Sequence, residues 1–325
     1  MFMRLTGSQS ITAFFFLLLF LLSGCASHSA LPAVEKEEKE TTKLQIGAVF
    51  ADGQDPWLSF LMNGVKEYED GNEEMEAVYT DAENDSNKQI EQAEELIARG
   101  VDSLMVTPVD MVAAELILEK AARADVPVVL VNRESLETES VYVGSDAFSF
   151  GVMQMEEVAK QLGGKGNIAI MNGQIGHPAQ KQRTEGNKSV IEQHKSMNIV
   201  LEGTAGWNRE QGKELMKNWL ESGQNIDAVV ANNDEMAIGA IQAAEEAGVL
   251  DQIVFAGIDG TPDALSFIQQ GKLAATVFQD AKGQGQGGID AALQLAKGEK
   301  PEATTYIPGE LILKENVDVY VEKWK

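Results

Sequence analysis

The chain has 325 residues, of which 44% are hydrophobic and 24% are charged. This length is enough for two cores of ordinary domain size, so two α/β domains are the first expectation. The formal net charge is −25, and no basic patch stands out along the sequence. Such a chain would be repelled by a phosphate backbone, which argues against a nucleic-acid partner.

The first 24 residues have the pattern of an export signal. Arg4 precedes the apolar run ITAFFFLLLFLL (11–22), which is short for a bilayer span, and small residues lead directly to Cys25, the only cysteine. A lone cysteine cannot form an intrachain disulfide. LSGC (22–25) resembles the bacterial lipobox. The resemblance implies that a signal peptide, residues 1–24, is removed and that Cys25 then carries lipid.

Residues 25–42 predict a lipidated flexible tether. ASHSALPAVEKEEKETT (26–42) has almost no apolar content and contains a run of charges, which is typical of a disordered segment. Together, the lipid and the tether indicate a protein anchored to the cell membrane on its extracytoplasmic face. They favour the surface of a Gram-positive cell over a periplasm.

From Lys43 onward, β-rich runs alternate with amphipathic helical stretches, which is the pattern of parallel sheets covered by helices. Ten strands are predicted, at 44–50, 75–80, 103–108, 127–132, 141–146, 167–172, 198–204, 227–232, 253–259 and 274–280. One helix, SNKQIEQAEELIARG, is expected to have its N-cap at Ser86 and to end at Gly100. The predicted fold class is α/β, with two similar doubly wound lobes.

Sheets of this kind bind ligands beyond the carboxyl ends of their strands. The polar and aromatic residues that follow the predicted strands are Asp55, Trp57, Asn132, Arg133, His177, Arg183, Trp207, Asn233, Asp259 and Gln279. Carboxylates, amides and guanidinium groups bind adjacent hydroxyls, and an indole covers the C–H face of a ring, so the set suits a neutral polyol. Taken singly, an Asp or Asn at such a place is usually a helix N-cap or a turn residue.

Four further stretches occur together in one order: YVGSD (142–146), ANNDEMAIGA (231–240), GIDGTPDAL (257–265) and GKLAATVFQD (271–280). They resemble the sugar-binding proteins of bacterial ABC importers, in the ribose, galactose and inositol branch, and the likeness covers about residues 43–325. The resemblance implies a monomeric, non-enzymatic receptor of the type I periplasmic binding protein fold. Such a receptor has two lobes, joined by three crossover strands, that close around one sugar and present it to a permease.

By this resemblance, residues 43–145 and 280–300 form the N-terminal lobe, and residues 146–279 and 305–325 form the C-terminal lobe. The family's ligand contacts match Asp55, Trp57, Asn132, Arg133, Arg183, Asn233, Asp259 and Gln279, while His177 and Trp207 match its galactose-binding branch.

Three features bear on the choice of ligand. Where the galactose branch has an aspartate two residues after the histidine, this chain has Ala179. Asn132 and Arg133 are closer to ribose and inositol receptors, whereas Trp57 and Trp207 suggest a six-membered ring between two indoles. Inositol or a related pyranose is therefore expected. The calcium loop of the galactose branch is missing, and DAENDSNKQIEQ (81–92) lacks the glycine and terminal glutamate of such a loop, so no metal is predicted.

Other functions fit less well. GQGQGG (283–288) matches the glycine pattern of a dinucleotide site, but only about forty residues follow it, too few for a second mononucleotide unit. Close helix packing explains these glycines better, and no cofactor is expected. A hydrolase would need a nucleophile elbow, and the G-x-S-x-G pattern of such an elbow does not occur in the sequence. A transcription regulator would need a DNA-binding segment before the lobes. A sugar or autoinducer receptor that signals to a membrane sensor stays open as an alternative.

Overall fold

The computed structural model describes residues 43–135 and 137–324. The predicted signal peptide 1–24, the lipidated Cys25 and the tether 25–42 lie outside the described residues. Within them, no helix has the length and apolar character needed to cross a membrane.

The described residues form twelve strands, ten α-helices and one short 3₁₀-helix at Leu250–Gln252. The strands are β1 (Leu44–Phe50), β2 (Met75–Asp81), β3 (Ser103–Val106), β4 (Val128–Val131), β5 (Val141–Gly144), β6 (Lys165–Asn172), β7 (Ser196–Thr204), β8 (Ala228–Ala231), β9 (Val254–Ala256), β10 (Thr276–Phe278), β11 (Thr304–Tyr306) and β12 (Glu310–Ile312). The helices are α1 (Pro56–Asp70), α2 (Ser86–Arg99), α3 (Met111–Arg123), α4 (Ala147–Gln161), α5 (Pro178–Ile191), α6 (Arg209–Glu221), α7 (Asp234–Glu246), α8 (Pro262–Gln269), α9 (Ala281–Ala296) and α10 (Val317–Lys323).

Two parallel sheets confirm the predicted α/β fold of two doubly wound lobes. The first sheet has the order β11-β5-β4-β3-β1-β2, and the second has the order β7-β6-β8-β9. The antiparallel pair β10 and β12 lies beside the second sheet, since single bridges join Ala256 to Ala275 and Asp259 to Phe278. Buried runs such as VVLV in β4 and AVVA in β8 are typical of strands covered on both faces.

Three segments of the chain cross between the lobes. The first lies between β5 of the first sheet and α4, the second between β10 and α9, and the third between β11 and β12. Helix α9 packs on α1 and on strands of the first sheet. Thr305 and Tyr306, which the sequence prediction gave to the second lobe, instead pair with β5 in the first sheet. The lobe boundary after α9 therefore lies beyond β11.

All ten predicted strands are present, each within a few residues of its expected bounds. The sequence did not predict β11 and β12, since a strand of only three residues carries no readable alternation of buried and exposed side chains. The predicted N-cap of α2 at Ser86 is wrong. The cap is Asp85, whose Oδ1 accepts from the backbone N–H groups of Asn87 and Lys88 at 2.8 and 3.1 Å. The predicted end is confirmed, because Gly100 adopts φ 81°.

Glycines allow α1 and α9 to meet backbone against backbone. A Cβ added at Gly285 would lie 2.2 Å from the carbonyl oxygen of Leu61, and one at Gly64 would lie 2.5 Å from that of Lys282. Both distances are impossible for real atoms. The glycines of GQGQGG thus lie inside α9, where they permit this close packing.

Gly285→Ala is therefore expected to lower the free energy of unfolding by about 1–3 kcal/mol, because the methyl group must push two helix backbones apart. Gly287→Ala is the matched control, since its Cβ would meet side chains and no backbone, Val143 Cγ1 at 3.2 Å and Ile307 Cδ1 at 3.9 Å, and alanine favours a helix by about 1 kcal/mol over glycine. Urea denaturation of both variants measures the difference. Equal stability of the two variants would contradict this packing.

Candidate functional site

One cavity of about 60 Å³ lies between the lobes. It is lined by Asp55, Trp57, Leu58, Asn132, Arg133, His177, Ala179, Arg183, Trp207, Asn233, Asp259 and Gln279. All ten residues singled out in the sequence are among them. Both lobes and one crossing segment contribute, so the cavity exists only where the lobes meet.

Three helices begin at the cavity, each with a lining residue as its N-cap. Asp55 Oδ1 accepts from Leu58 N–H at 2.9 Å at the start of α1, and Asn233 Oδ1 accepts from Met236 N–H at 3.1 Å at the start of α7. His177 caps α5. The capping and cavity-lining roles therefore coincide in these residues. The partly positive helix starts favour electron-rich groups in the cavity.

Arg183 is held by the end of β8 and by a crossing segment. Its Nη1 donates to the carbonyl oxygen of Asn232 at 2.7 Å and lies 3.6 Å from Asp259 Oδ1, and its Nη2 donates to Gln279 Oε1. The side chain is buried, and this burial lowers the pKa of the guanidinium group, while Asp259 opposes the shift. Fixed partners on several elements leave Arg183 one orientation toward the cavity.

Asp259 follows β9 in an unusual backbone conformation. Its φ is 132°, which L residues rarely adopt, and its N–H and C=O groups bond to Val277 O and Gln279 N at 2.9 and 3.1 Å. Burial raises the pKa of its carboxyl group well above the ordinary value, and the Arg183 guanidinium lowers it in part. A strained backbone held by neighbouring strands is characteristic of ligand-binding positions.

Arg133 and Asp55 bring a second guanidinium group and a second carboxyl group to the cavity, from the first lobe. Arg133 Nη1 donates to the carbonyl oxygens of Pro108 and Val109, the latter at 2.7 Å. Burial lowers the pKa of Arg133 and raises that of Asp55, and each charge partly offsets the shift of the other. Two guanidinium groups thus face two carboxyl groups around the cavity.

His177 is a neutral hydrogen-bonding group. Its Nδ1 accepts from the N–H of Ala179 at 3.1 Å, so the ring carries its proton on Nε2. Burial lowers the pKa of His177 well below 6.5, and the charges of Arg133 and Arg183 lower it further. Loss of water on burial is the larger of the two causes.

Trp207 forms an aromatic wall of the cavity, in a conformation that its surroundings impose. Its φ is 69°, and a Cβ added at Gly173 would lie 2.2 Å from its ring, so only glycine leaves room for the indole there. The ring contacts His177 edge-on at 5.1 Å between centroids and lies 5.9 Å from Arg183 Cζ. From the first lobe, Trp57 donates its Nε1–H to Gln279 O at 3.1 Å.

The chemistry of the lining residues is that of binding. Three buried donors at the cavity, Arg133 Nε, Arg183 Nε and Trp207 Nε1, have no hydrogen-bond partner among the described residues. None of the lining residues is a serine, threonine or cysteine that could act as a nucleophile. Over the part of the chain that the structure describes, no group of three metal-ligating side chains comes together.

The sequence did not single out two residues that matter here. Leu58 lines the cavity in the first turn of α1. The one feature of the sequence that could have indicated this role is its position directly after Trp57. Gly173 follows β6 and gives no sign in the sequence that an indole from residue 207 packs on it. The role of the ten predicted residues as ligand contacts stays a prediction.

The lowered pKa of His177 has a consequence for stability. As pH falls through 6.5, the imidazole of His177 becomes protonated in the unfolded chain but stays neutral in the folded protein. The free energy of unfolding therefore decreases by up to about 1.4 kcal/mol per pH unit. His177→Asn keeps a capping acceptor and removes the titration. Urea denaturation from about pH 7.5 to about pH 5 should show the parent losing free energy of unfolding relative to this variant. Parallel profiles would contradict the assignment.

Comparison with known proteins gives a consistent result. Residues 46–300 match the family described as the periplasmic binding protein domain. The chain is 44% identical over 280 residues to a putative rhizopine-binding protein of Rhizobium meliloti, which covers 84% of this chain and 91% of that one. It is 33% identical over 304 residues to the ribose import binding protein RbsB of Bacillus subtilis, covering 92% and 97% of the two chains.

A solved structure is similar throughout. The ABC transporter solute-binding protein of Bacillus halodurans C-125 with bound myo-inositol superposes with a TM-score of 0.85, at 46% identity, over 88% of this chain and 99% of that one. The chain therefore belongs to the periplasmic binding protein family, as a sugar-binding protein of the kind that serves ABC transporters and not as an enzyme.

Proposed function

We propose that this protein is a lipid-anchored receptor that captures a neutral cyclitol or pyranose sugar by closure of its lobes and delivers it to an ABC permease. The ligand we favour is myo-inositol. The observation that carries the proposal is the convergence of two arginines, two aspartates, three amides, a neutral histidine and two indoles on one small cavity.

The balance of charge supports a neutral ligand. Arg183 lies beside Asp259, and Arg133 is coupled to Asp55, so the charges at the cavity compensate each other. A charged ligand would leave one buried charge without a partner, which is costly. Hydroxyl groups instead donate to the carboxylates and accept from the guanidinium groups, and they change no net charge.

The shape of the ligand follows from the aromatic residues. Trp57 comes from the first lobe and Trp207 from the second, and both line the cavity. Two indoles suit the C–H faces of a saturated six-membered ring. The bound myo-inositol of the 46% identical structure supports a cyclitol. Ala179 supplies no carboxylate where the galactose branch has one, which argues against galactose.

Binding by closure follows from the division of the site between the lobes. We propose residues 43–145 with 280–306 as one lobe and 146–279 with 307–325 as the other, since β11 pairs with β5 in the first sheet. The first lobe supplies Asp55, Trp57, Asn132 and Arg133, and the second supplies His177, Arg183, Trp207, Asn233 and Asp259. A ligand that contacts both sets favours the closed state through its differential affinity. The closed surface is then what the permease recognises.

The proposed location depends on Cys25. Its place after LSG supports lipidation at that residue, and the acidic segment to residue 42 supports a tether between membrane and receptor. The same features favour the outer surface of a cell with one membrane. Labelling with a radioactive fatty acid, compared between the parent and Cys25→Ser, tests this part separately.

Isothermal titration with myo-inositol, glucose, xylose, galactose and ribose tests the ligand class. We expect binding of myo-inositol or of a pyranose, with galactose weaker because Ala179 cannot accept a hydrogen bond. Arg183→Ala and Asp259→Ala should each weaken binding by about 10- to 100-fold, since a buried partner is left unpaired.

Arg99→Ala on the exposed surface of α2 is the matched control and should bind like the parent. Unfolding curves of all variants separate loss of binding from loss of fold. Absence of heat from every sugar with the folded parent would overturn the sugar proposal.

A further inference from the structure

Gln284 is a buried amide with no place in the cavity. It lies in the first turn of α9, within the GQGQGG stretch, and is 0% exposed. Its neighbour Gln286 in the same stretch is exposed. A fully buried glutamine needs partners for both its oxygen and its nitrogen, and Gln284 has both.

These partners form a directed chain of hydrogen bonds. Asn132 Nδ2 donates to Gln284 Oε1 at 3.3 Å, Gln284 Nε2 donates to Ser145 Oγ at 2.9 Å, and Ser145 Oγ donates to Ile307 O at 3.0 Å. A carbonyl oxygen can only accept, so Ile307 sets the direction of the last bond. Ser145 Oγ must then accept from Gln284 Nε2, which leaves Gln284 Oε1 to accept from Asn132 Nδ2.

The chain joins the cavity to the crossing segments. Asn132 lines the cavity, Ser145 lies in the first crossing between β5 and α4, and Ile307 lies in the third between β11 and β12. Gln284 itself follows the second crossing, since its N–H donates to the carbonyl oxygen of Asp280 at 3.0 Å. The side chain of Gln284 therefore connects a cavity residue directly with the first crossing and, through Ser145, with the third.

The backbone of Asn132 is already fixed. Its φ is 66°, its N–H donates to Val143 O at 2.9 Å, and its carbonyl oxygen accepts from Tyr142 Oη at 3.1 Å. The remaining freedom of Asn132 is the orientation of its amide. Turned one way, it offers an acceptor to the ligand, and turned the other way it offers a donor.

We propose that Gln284 is a positioning residue for the cavity, which engages Nδ2 of Asn132 and thereby leaves Oδ1 to the ligand. The inference rests on the proposed function and deepens it. Asn132 acts as an acceptor, so the ligand places a hydroxyl group against it as a donor. The link through Ser145 and Ile307 fixes this polarity relative to the crossing segments.

The test compares the parent with Gln284→Met, which keeps the volume and removes both hydrogen bonds. Gln286→Met, in the same turn region but exposed, is the matched control. Affinity is measured for myo-inositol and for its singly deoxyfluorinated analogues, because fluorine accepts weakly and cannot donate. The parent should reject the analogue that lacks the hydroxyl at Asn132 by about tenfold or more.

In Gln284→Met the amide of Asn132 is free to turn its nitrogen to the ligand. The rejection of that one analogue should shrink several-fold, while rejection of the other analogues stays as in the parent. A merely structural role of Gln284 would weaken all ligands alike. If Gln284→Met does not fold, Ser145→Ala removes the next link of the chain and should give the same change in smaller degree.

The outcomes are distinct. Unchanged discrimination in a folded Gln284→Met or Ser145→Ala that binds myo-inositol would overturn the positioning role and leave the proposed function standing. Failure of the folded parent to bind any cyclitol or sugar would overturn the proposed function and this inference with it.

Discussion

The burial of Arg183 and Asp259 where the two lobes meet, with the half-buried Asp55 and Arg133 beside them, is the constraint on which the structure depends. Removing an ion from water costs several kcal/mol even after the protein relaxes. Arg183 is stabilised by partners on three different parts of the chain: Asn232 after β8, Asp259 after β9 and Gln279 in a crossing segment. The sheets and crossings must hold these groups together for the charge to be tolerated.

This requirement explains the unusual local geometry of the cavity. Asn132, Trp207 and Asp259 all have positive φ, although none of them is glycine. Such conformations persist only where the surrounding structure enforces them. Asp259 is held by the edge of β10, and Trp207 fits because residue 173 has no side chain. The strained backbone at these three residues therefore accompanies a fixed orientation of their side chains at the cavity.

The sequence predicted most of what surrounds the cavity because parallel strands end at the same edge. Polar residues after buried strands were therefore expected to converge, and the resemblance to sugar-binding proteins pointed to the same ten positions. The sequence could not predict contacts between residues that lie far apart along the chain. The hydrogen bond from Trp57 to Gln279 spans 222 positions, and nothing in the spacing of Gln284 indicates that Asn132 is its partner. The sequence also did not predict short strands such as β11, because three residues are too few to show an alternation of buried and exposed side chains.

A charge series on one ring tests the central claim most directly. If Arg133 and Arg183 are compensated by Asp55 and Asp259, a ligand should bind best when it brings no net charge. Titration with myo-inositol, an inositol monophosphate and an inosamine compares neutral, negative and positive forms of the same ring. We predict the highest affinity for myo-inositol. Tighter binding of either charged form would contradict the account, because it would show that the cavity carries an uncompensated charge of the opposite sign.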